Sequence, residues 1–275
     1  MPELPEVETV ARTLRPRLVG RTIVAVETSG LALRAPLDEA RLVRACGGAR
    51  VEAIERLGKY LLLHLSSREV LLAHLGMSGR FVLASQQAPR PAHLHVRLVL
   101  GDEDEELRYI DPRRFGMIVV YRAEEVGQAP ELAVLGPDPL SERFTPTYLL
   151  GALQGSRRDI KQFLLDQSQV AGLGNIYVCE ALFRARISPR RRTNTLGPRR
   201  AERLHQVIRE VLEEALAHRG TTFRDYVDAA GEPGGNQFHL DVYGREGESC
   251  TACGARVVRL VQGARSTFFC PRCQR

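Results

Sequence analysis

Two rhythms of apolar and polar residues share this chain. Up to about residue 130, apolar side chains alternate or run in short β-branched blocks: RTIVAVET (21–28), VEAIERLGKYLLLHL (51–65), EVLLAHLGMSGRFVLA (69–84), HLHVRLVLG (93–101) and LRYIDPRRFGMIVVYR (107–122). Period-two alternation puts successive side chains on opposite faces, so these segments read as strands. Connections as short as SSRE, MSG and GDEDEE join most of them, which predicts antiparallel pairing in a sandwich or flattened barrel. A helix precedes the strands. Val7, Val10, Ala11 and Leu14 recur at helical spacing, Glu3, Glu6 and Glu8 suit a helix N-terminus, and Gly20 suits its end. A further short helix is expected near 38–45.

Past residue 130 the rhythm changes. APELAVLGPDPLSERFTP (129–146) carries four prolines and reads as an inter-domain linker. TPTYLLGALQ, RRDIKQFLLDQ, NIYVCEALFRARI and PRRAERLHQVIREVLEEALAHR then show helical spacing, the last opening on Pro198. Residues 221–247, with GEPGGNQ at their centre, read as a long loop, a feature usually tied to function or mobility. The expected domains are 1–130, 131–222 and 223–275.

Composition narrows the class. A chain of 275 residues with 44% hydrophobic and 26% charged residues is an ordinary water-soluble protein long enough for two modest domains. No apolar run approaches a membrane span and no charged-then-apolar leader opens the chain, so a cytoplasmic protein without membrane partners is expected. Residues 1–150 hold 19 Lys and Arg against 20 Asp and Glu, whereas 151–275 hold 20 against 13. That asymmetry points to a polyanion such as nucleic acid. Only Lys59 and Lys161 are lysines, so chemistry that needs a primary amine has few places to sit.

Four of the six cysteines form two C-x2-C pairs, Cys250/Cys253 and Cys270/Cys273, with sixteen residues between them. Each pair can place two thiolates on one ion and the interval suits a returning hairpin, the spacing of a tetrahedral zinc site. Four protein ligands leave no open position, so one structural zinc is expected. Disulfides are the alternative, disfavoured in a reducing compartment. Arg256, Arg259 and Arg265 lie along that hairpin and could grip phosphates. AGLGNIY (171–177) puts two glycines before Asn175, read as the N-cap of an amphipathic helix, and exposed N–H groups there suit an anion. An ordinary helix–helix turn explains the same residues. Lys59, Met77, Arg113 and Phe115, taken singly, read more simply as a snorkelling lysine, core filler, a turn's charge and its anchor than as functional residues.

Taken together, MPELPEVET, GKYLLL, HLGMSG, DPRRFG, LGPDPL, LLDQ…VAGLGNIY, VYGREG and the cysteine hairpin resemble the formamidopyrimidine-DNA glycosylases, in that family's order and across nearly the whole chain. The resemblance implies a multidomain α+β fold: an N-terminal antiparallel β-sandwich with flanking helices, a helical helix-two-turns-helix domain and a C-terminal four-cysteine zinc-finger hairpin. It implies base-excision repair of duplex DNA carrying oxidised purines or abasic sites, by a bifunctional glycosylase and AP lyase acting as a monomer at the nucleoid. Implied catalytic residues are Pro2 as nucleophile once Met1 is removed, Glu3 as acid, Lys59 in β-elimination and Arg265 in δ-elimination. Met77, Arg113 and Phe115 match the residues that fill the void left by the flipped base. His93, Arg157, Lys161 and Asn175 match DNA-backbone positions, and Glu6 with the loop 221–236 lines the base pocket. Two other readings stay open: an endonuclease VIII-like glycosylase for oxidised pyrimidines, and a zinc-containing DNA-binding protein without catalysis.

Overall fold

Eight strands form two antiparallel sheets over one apolar core. In chain order they are β1 (Ile23–Thr28), β2 (Val51–Leu57), β3 (Tyr60–Leu65), β4 (Glu69–His74), β5 (Arg80–Ser85), β6 (Leu94–Leu100), β7 (Glu105–Ile110) and β8 (Met117–Arg122). One sheet has the order β1-β6-β7-β5 and the other β2-β3-β4-β8. Inward side chains of both, such as Phe81, Val96, Leu98 and Leu107 against Leu61, Leu63, Leu71 and Ile118, share that core with Val7, Val10, Leu14 and Leu18 of the first helix. The structure is a computed structural model, and it describes residues 1–101 and 104–275. Part of the GDEDEE connection therefore lies outside the described residues.

The expected strands are present, but two long runs are divided in a way alternation does not reveal. EVLLAHLGMSGRFVLA is β4 of one sheet and β5 of the other, and LRYIDPRRFGMIVVYR is likewise β7 and β8. HLGMSG and DPRRFG are thus two short crossovers between the sheets, and the connection from β1 to β2 is a third, longer one. The two short ones meet closely, because a Cβ on Gly76, whose φ is +64°, would lie 2.4 Å from the carbonyl carbon of Phe115. Only glycine fits there.

Helix α1 (Leu4–Leu18) starts at a capping box between Glu3 and Glu6, and α2 (Glu39–Cys46) is capped by Asp38, which accepts from Arg41 N–H at 2.9 Å. The chain separates into two compact units. The first comprises Met1–Ala133 with His218–Gly235, the second Val134–Ala217 with Asn236–Arg275. A four-residue helix, α3 (Pro130–Ala133), closes the first part of unit 1. The long polar loop is divided between the units. Its first half packs in unit 1, where Tyr226 and Ala229 are buried in the sandwich core and Leu83 N–H donates to Ala229 O at 2.9 Å.

Unit 2 is built on α4 (Pro146–Gln154), α5 (Ile160–Leu165), α6 (Asn175–Arg184) and α7 (Pro198–Ala217), followed by a hairpin of β9 (Val258–Gln262) and β10 (Arg265–Phe269). Leu204, Ile208, Leu212 and Ala215 make the buried stripe of α7. The turn before α6 is shaped by Gln167, whose side chain donates to Leu165 O and Leu173 O and accepts from Gly172 N–H, each at 2.9 Å. Gly174, not Asn175, is the N-cap, and Asn175 is the first helical residue. Its amide group is directed to the finger instead, as described below.

Candidate active site

The N-terminal residues are fixed by their neighbours. Pro2 is buried, Glu3 is 3% exposed, and Glu3 N–H donates to Glu6 Oε2 at 2.7 Å. Glu6 Oε1 accepts from Thr221 N–H at 2.8 Å, and Gly220, at φ +81°, would bring a Cβ to within 2.9 Å of that oxygen. Both carboxylate oxygens of Glu6 therefore hold main chain. The resemblance implies a place for Glu6 in the base pocket; here its side chain is a strut between the N-terminus and the segment 220–221. Tyr226 Oη, 3.1 Å from Arg219 O and 3.3 Å from Glu6 O, braces the same junction.

Lys59 sits beside Gly58 in the two-residue turn between β2 and β3, and its side chain is buried. A missed residue explains how that turn is held to α1. Glu8 takes Arg12 and Arg15 on Oε1 at 3.1 and 2.9 Å and Arg56 on Oε2 at 3.0 Å, while Arg56 donates to Gly58 O at 3.0 Å. Burial alone would raise the Glu8 pKa, but the bonds and charges of Arg15 and Arg56 hold it below the ordinary carboxylate value. The helical spacing of Arg12 and Arg15 was the available signal; Arg56 is distant in sequence.

At the crossovers, exposed side chains stand on a buried carboxylate. Met77 and Phe115 are 43% and 45% exposed, and the Arg113 guanidinium lies 4.6 Å from the Phe115 ring centroid. Beneath them Asp111 is fully buried. Its Oδ1 accepts from Ser78 Oγ at 2.7 Å and Arg113 N–H at 3.3 Å, and its Oδ2 accepts from Gly116 N–H at 2.8 Å. One side chain thus ties HLGMSG to DPRRFG. His74 secures the first turn by accepting Gly76 N–H on Nδ1 at 3.0 Å. Its pKa is pushed down to about 4, by burial first and then by the charges of Arg34 and Lys59, so the imidazole is neutral. His93 is exposed in the left-handed region at φ 61°, accepts from Asp111 N–H on its carbonyl at 3.0 Å, and lines a recess of about 260 Å³ with Arg90, His95 and Arg97.

In unit 2, three predicted residues converge on the start of β10. Asn175 Nδ2 donates to Ser266 O at 2.9 Å, and Lys161 Nζ donates to the same oxygen at 3.0 Å and to Thr267 Oγ1 at 2.7 Å. Arg265 is the adjacent, exposed residue. Lys161 is fully buried and acts as a strut between α5 and the finger. A burial this complete is bearable because oxygens surround the ammonium. Arg157 precedes α5 and is exposed.

The four sulfurs of Cys250, Cys253, Cys270 and Cys273 lie within 4.8 Å of one another. Cys250–Cys273 and Cys253–Cys270 are 3.9 and 3.5 Å apart. Bonds of about 2.3 Å to a tetrahedral zinc imply sulfur separations near 3.8 Å, so the donor set and its size fit that ion. A second missed residue anchors the finger: Glu180, wholly buried on α6, accepts from the N–H groups of Asp241, Val242 and Tyr243 at 2.8, 3.0 and 2.8 Å. Its signal was that it is the one acid of α6, set among apolar neighbours from Ile176 to Phe183.

Comparison with known proteins agrees with this layout. Residues 1–118 match the formamidopyrimidine-DNA glycosylase N-terminal domain, 135–227 the H2TH domain of the same enzymes, and 247–275 the zinc finger found in FPG and IleRS. The chain is 49% identical over 274 residues to a formamidopyrimidine-DNA glycosylase of Symbiobacterium thermophilum, covering 100% of this chain and 89% of the relative. A Geobacillus kaustophilus relative of the same name is 45% identical, with both chains fully covered. The structure superimposes on a Lactococcus lactis FPG mutant in complex with Fapy-dG-containing DNA at a TM-score of 0.93, with 37% identity and 100% of both chains covered. For the FPG protein of Thermus thermophilus the values are 0.89 and 43%, covering 99% of this chain and 98% of the other. With all three domains matched in order and close relatives aligned along its whole length, the chain belongs to the formamidopyrimidine-DNA glycosylase family.

Proposed function

We propose that this enzyme flips oxidised purines such as 8-oxoguanine and formamidopyrimidines out of duplex DNA, excises them and cleaves the strand at the abasic site. The observation that carries the reading is the placement of Pro2 and Glu3 at the buried, capped start of α1, on a mount that Glu8 and Arg56 tie to the turn of Lys59. Relatives seen with Fapy-dG and with abasic-site DNA support the substrate class.

After removal of Met1, which is exposed and precedes a small residue, Pro2 presents a secondary amine. An α-amino group titrates near about 8 against about 10.4 for lysine, so its uncharged fraction at neutral pH is larger by roughly two orders of magnitude, somewhat less for proline. The nitrogen lone pair forms a bond to the sugar C1′ and the base leaves with the electrons of the glycosidic bond; the Glu3 carboxylate takes the proton from the attached amine and returns it to the ring oxygen as the C1′–O4′ bond breaks and the ring opens to an iminium. Lys59 assists loss of the first phosphate by β-elimination, and Arg265 holds the second during δ-elimination. Met77, Arg113 and Phe115 occupy the vacated stack. One zinc ion on the four thiolates pins the hairpin that carries Arg265. The enzyme works as a cytoplasmic monomer.

Borohydride reduction with duplex containing 8-oxoguanine opposite cytosine tests the reading. A covalent protein–DNA adduct is expected, and Pro2→Gly removes it while affinity stays nearly unchanged. Trapping on oxidised pyrimidines alone would make it an endonuclease VIII-like enzyme. Binding without trapping on any lesion would make it a DNA-binding protein without catalysis.

A further inference from the structure

Seven arginines and no acidic residue lie between Arg184 and Arg200. Arg184 is engaged by Glu214 and Asp241. The other six are presented differently. Residues 190–193 run antiparallel to 157–160: Asp159 bridges to Arg192, Ile160 N–H donates to Arg191 O at 2.8 Å, and Thr193 N–H donates to Arg158 O at 3.0 Å. That pairing sets Arg190, Arg191 and Arg192 beside the backbone of Arg157 and Arg158. A short turn at Thr193–Thr195 leads into α7, whose first turn holds Arg199 and Arg200.

Some of this charge is answered locally. Arg158 pairs with Asp166 at 2.8 Å and Arg192 with Asp159 at 3.4 Å. Arg186, Arg190, Arg199 and Arg200 are exposed, and among the described residues their guanidinium groups have no carboxylate or hydrogen-bond partner. Arg191 Nε is buried and likewise unpartnered among the described residues. Burial and the nearby Arg200 charge lower the Arg191 pKa. The first turn of α7 contains no acid, so its two arginines oppose the helix dipole, which favours anions at that end. Glu202 follows only in the next turn. Folding gains nothing from gathering these charges there. An anion at this place would relieve the mutual repulsion and satisfy the dipole.

We propose that Arg190, Arg191, Arg199 and Arg200, with Arg186 at the margin, form an auxiliary rim of unit 2 that binds the phosphate backbone of duplex DNA and continues the surface begun by Arg157. The choice of duplex DNA as the polyanion rests on the function proposed above. The rim adds sequence-independent affinity and retention on undamaged DNA; it takes no part in bond making.

The test combines Arg190→Ser, Arg199→Ser and Arg200→Ser in the full chain, with the corresponding triple Arg→Lys variant as a control. Affinity for undamaged duplex is measured against salt, and excision from 8-oxoguanine duplex is measured in single turnover at saturating enzyme. In the serine variant the slope of log K against log salt should fall by about 2–3, and Kd at moderate salt should rise roughly tenfold or more. The saturating excision rate should be unchanged, and the lysine variant should keep the parental slope. A parental slope in the serine variant overturns the proposal. So does loss of binding to anionic phospholipid vesicles with the duplex slope intact, which would assign the rim to a lipid surface. If the unsubstituted protein excises no lesion, the proposed function fails, while the salt slope still decides whether the rim binds DNA.

Discussion

Unit 1 carries two candidate surfaces built in opposite ways. At the start of α1 the groups assigned to chemistry are themselves buried; Glu6 accepts from the N–H groups of Glu3 and Thr221, and Glu8 accepts from Arg56, which donates to Gly58 O. At the crossovers the groups assigned to the DNA stack are exposed, and the burial lies beneath them, at Asp111, His74 and Ser78 among others. The difference follows from the tasks. A nucleophile and its acid must keep a set distance in little water, whereas a wedge must enter another molecule and so stand free in the unbound protein. An exposed Met77 or Phe115 is useful only on a turn that does not yield, which the Asp111 bonds supply.

Substitutions at the two surfaces should have different consequences. The largest effect is expected at the first surface: Glu3→Gln should slow excision by roughly 10²–10⁴-fold and cost at most about 1 kcal/mol of stability through its capping role. Single-turnover kinetics beside a urea melt would check this, and an active variant would remove Glu3 from the chemistry. At the second surface, Asp111→Ala leaves the donors of Ser78, Arg113 and Gly116 without their acceptor and should destabilise the protein by about 2–4 kcal/mol. A parental melting curve would show that Asp111 is not the mount.

His74 extends the contrast to pH. Its pKa in the folded protein is about 4, below the 6.5 of the free side chain, so the unfolded chain binds the proton more tightly. The contribution of the neutral imidazole is complete above that higher value and is lost as pH falls toward the lower one, amounting to about 2 kcal/mol at pH 5. His74→Asn keeps an acceptor near Gly76 N–H and removes the titration, so its stability should fall less between pH 7 and pH 5. Equal acid sensitivity in the two proteins would discard His74 as the source. The smallest effect is expected for Phe115→Ala, with stability within about 0.5 kcal/mol of the parent and excision from duplex reduced about tenfold through poorer base extrusion. A large loss of stability there would mean that Phe115 belongs to the core.

Much of this was legible in the chain because the decisive signals are local. The cysteine spacing, the acidic start of α1, and HLGMSG and DPRRFG as turns all lie within a few residues. What escaped depends on partners far away in sequence. Alternation in LRYIDPRRFGMIVVYR shows strands but carries no sheet label, so the crossover at Asp111 was invisible until β7 and β8 were seen to pair with different neighbours. Lys161 reads as a surface charge until Ser266 and Thr267, over a hundred residues later, close around it. Nothing near Glu6 in the chain announces the Thr221 N–H that reaches its side chain. The loop 221–247 shows no periodicity that could reveal its division between two units.

The central claim is that the buried, capped N-terminus supplies the bond-making group. Its most direct test is to reduce the enzyme–DNA intermediate formed on an 8-oxoguanine duplex, digest it and map the modified residue by mass spectrometry. The sugar remnant is expected on the amine of Pro2, in protein from which Met1 has been removed. A remnant on Lys59, or full trapping by protein that retains Met1, would contradict it.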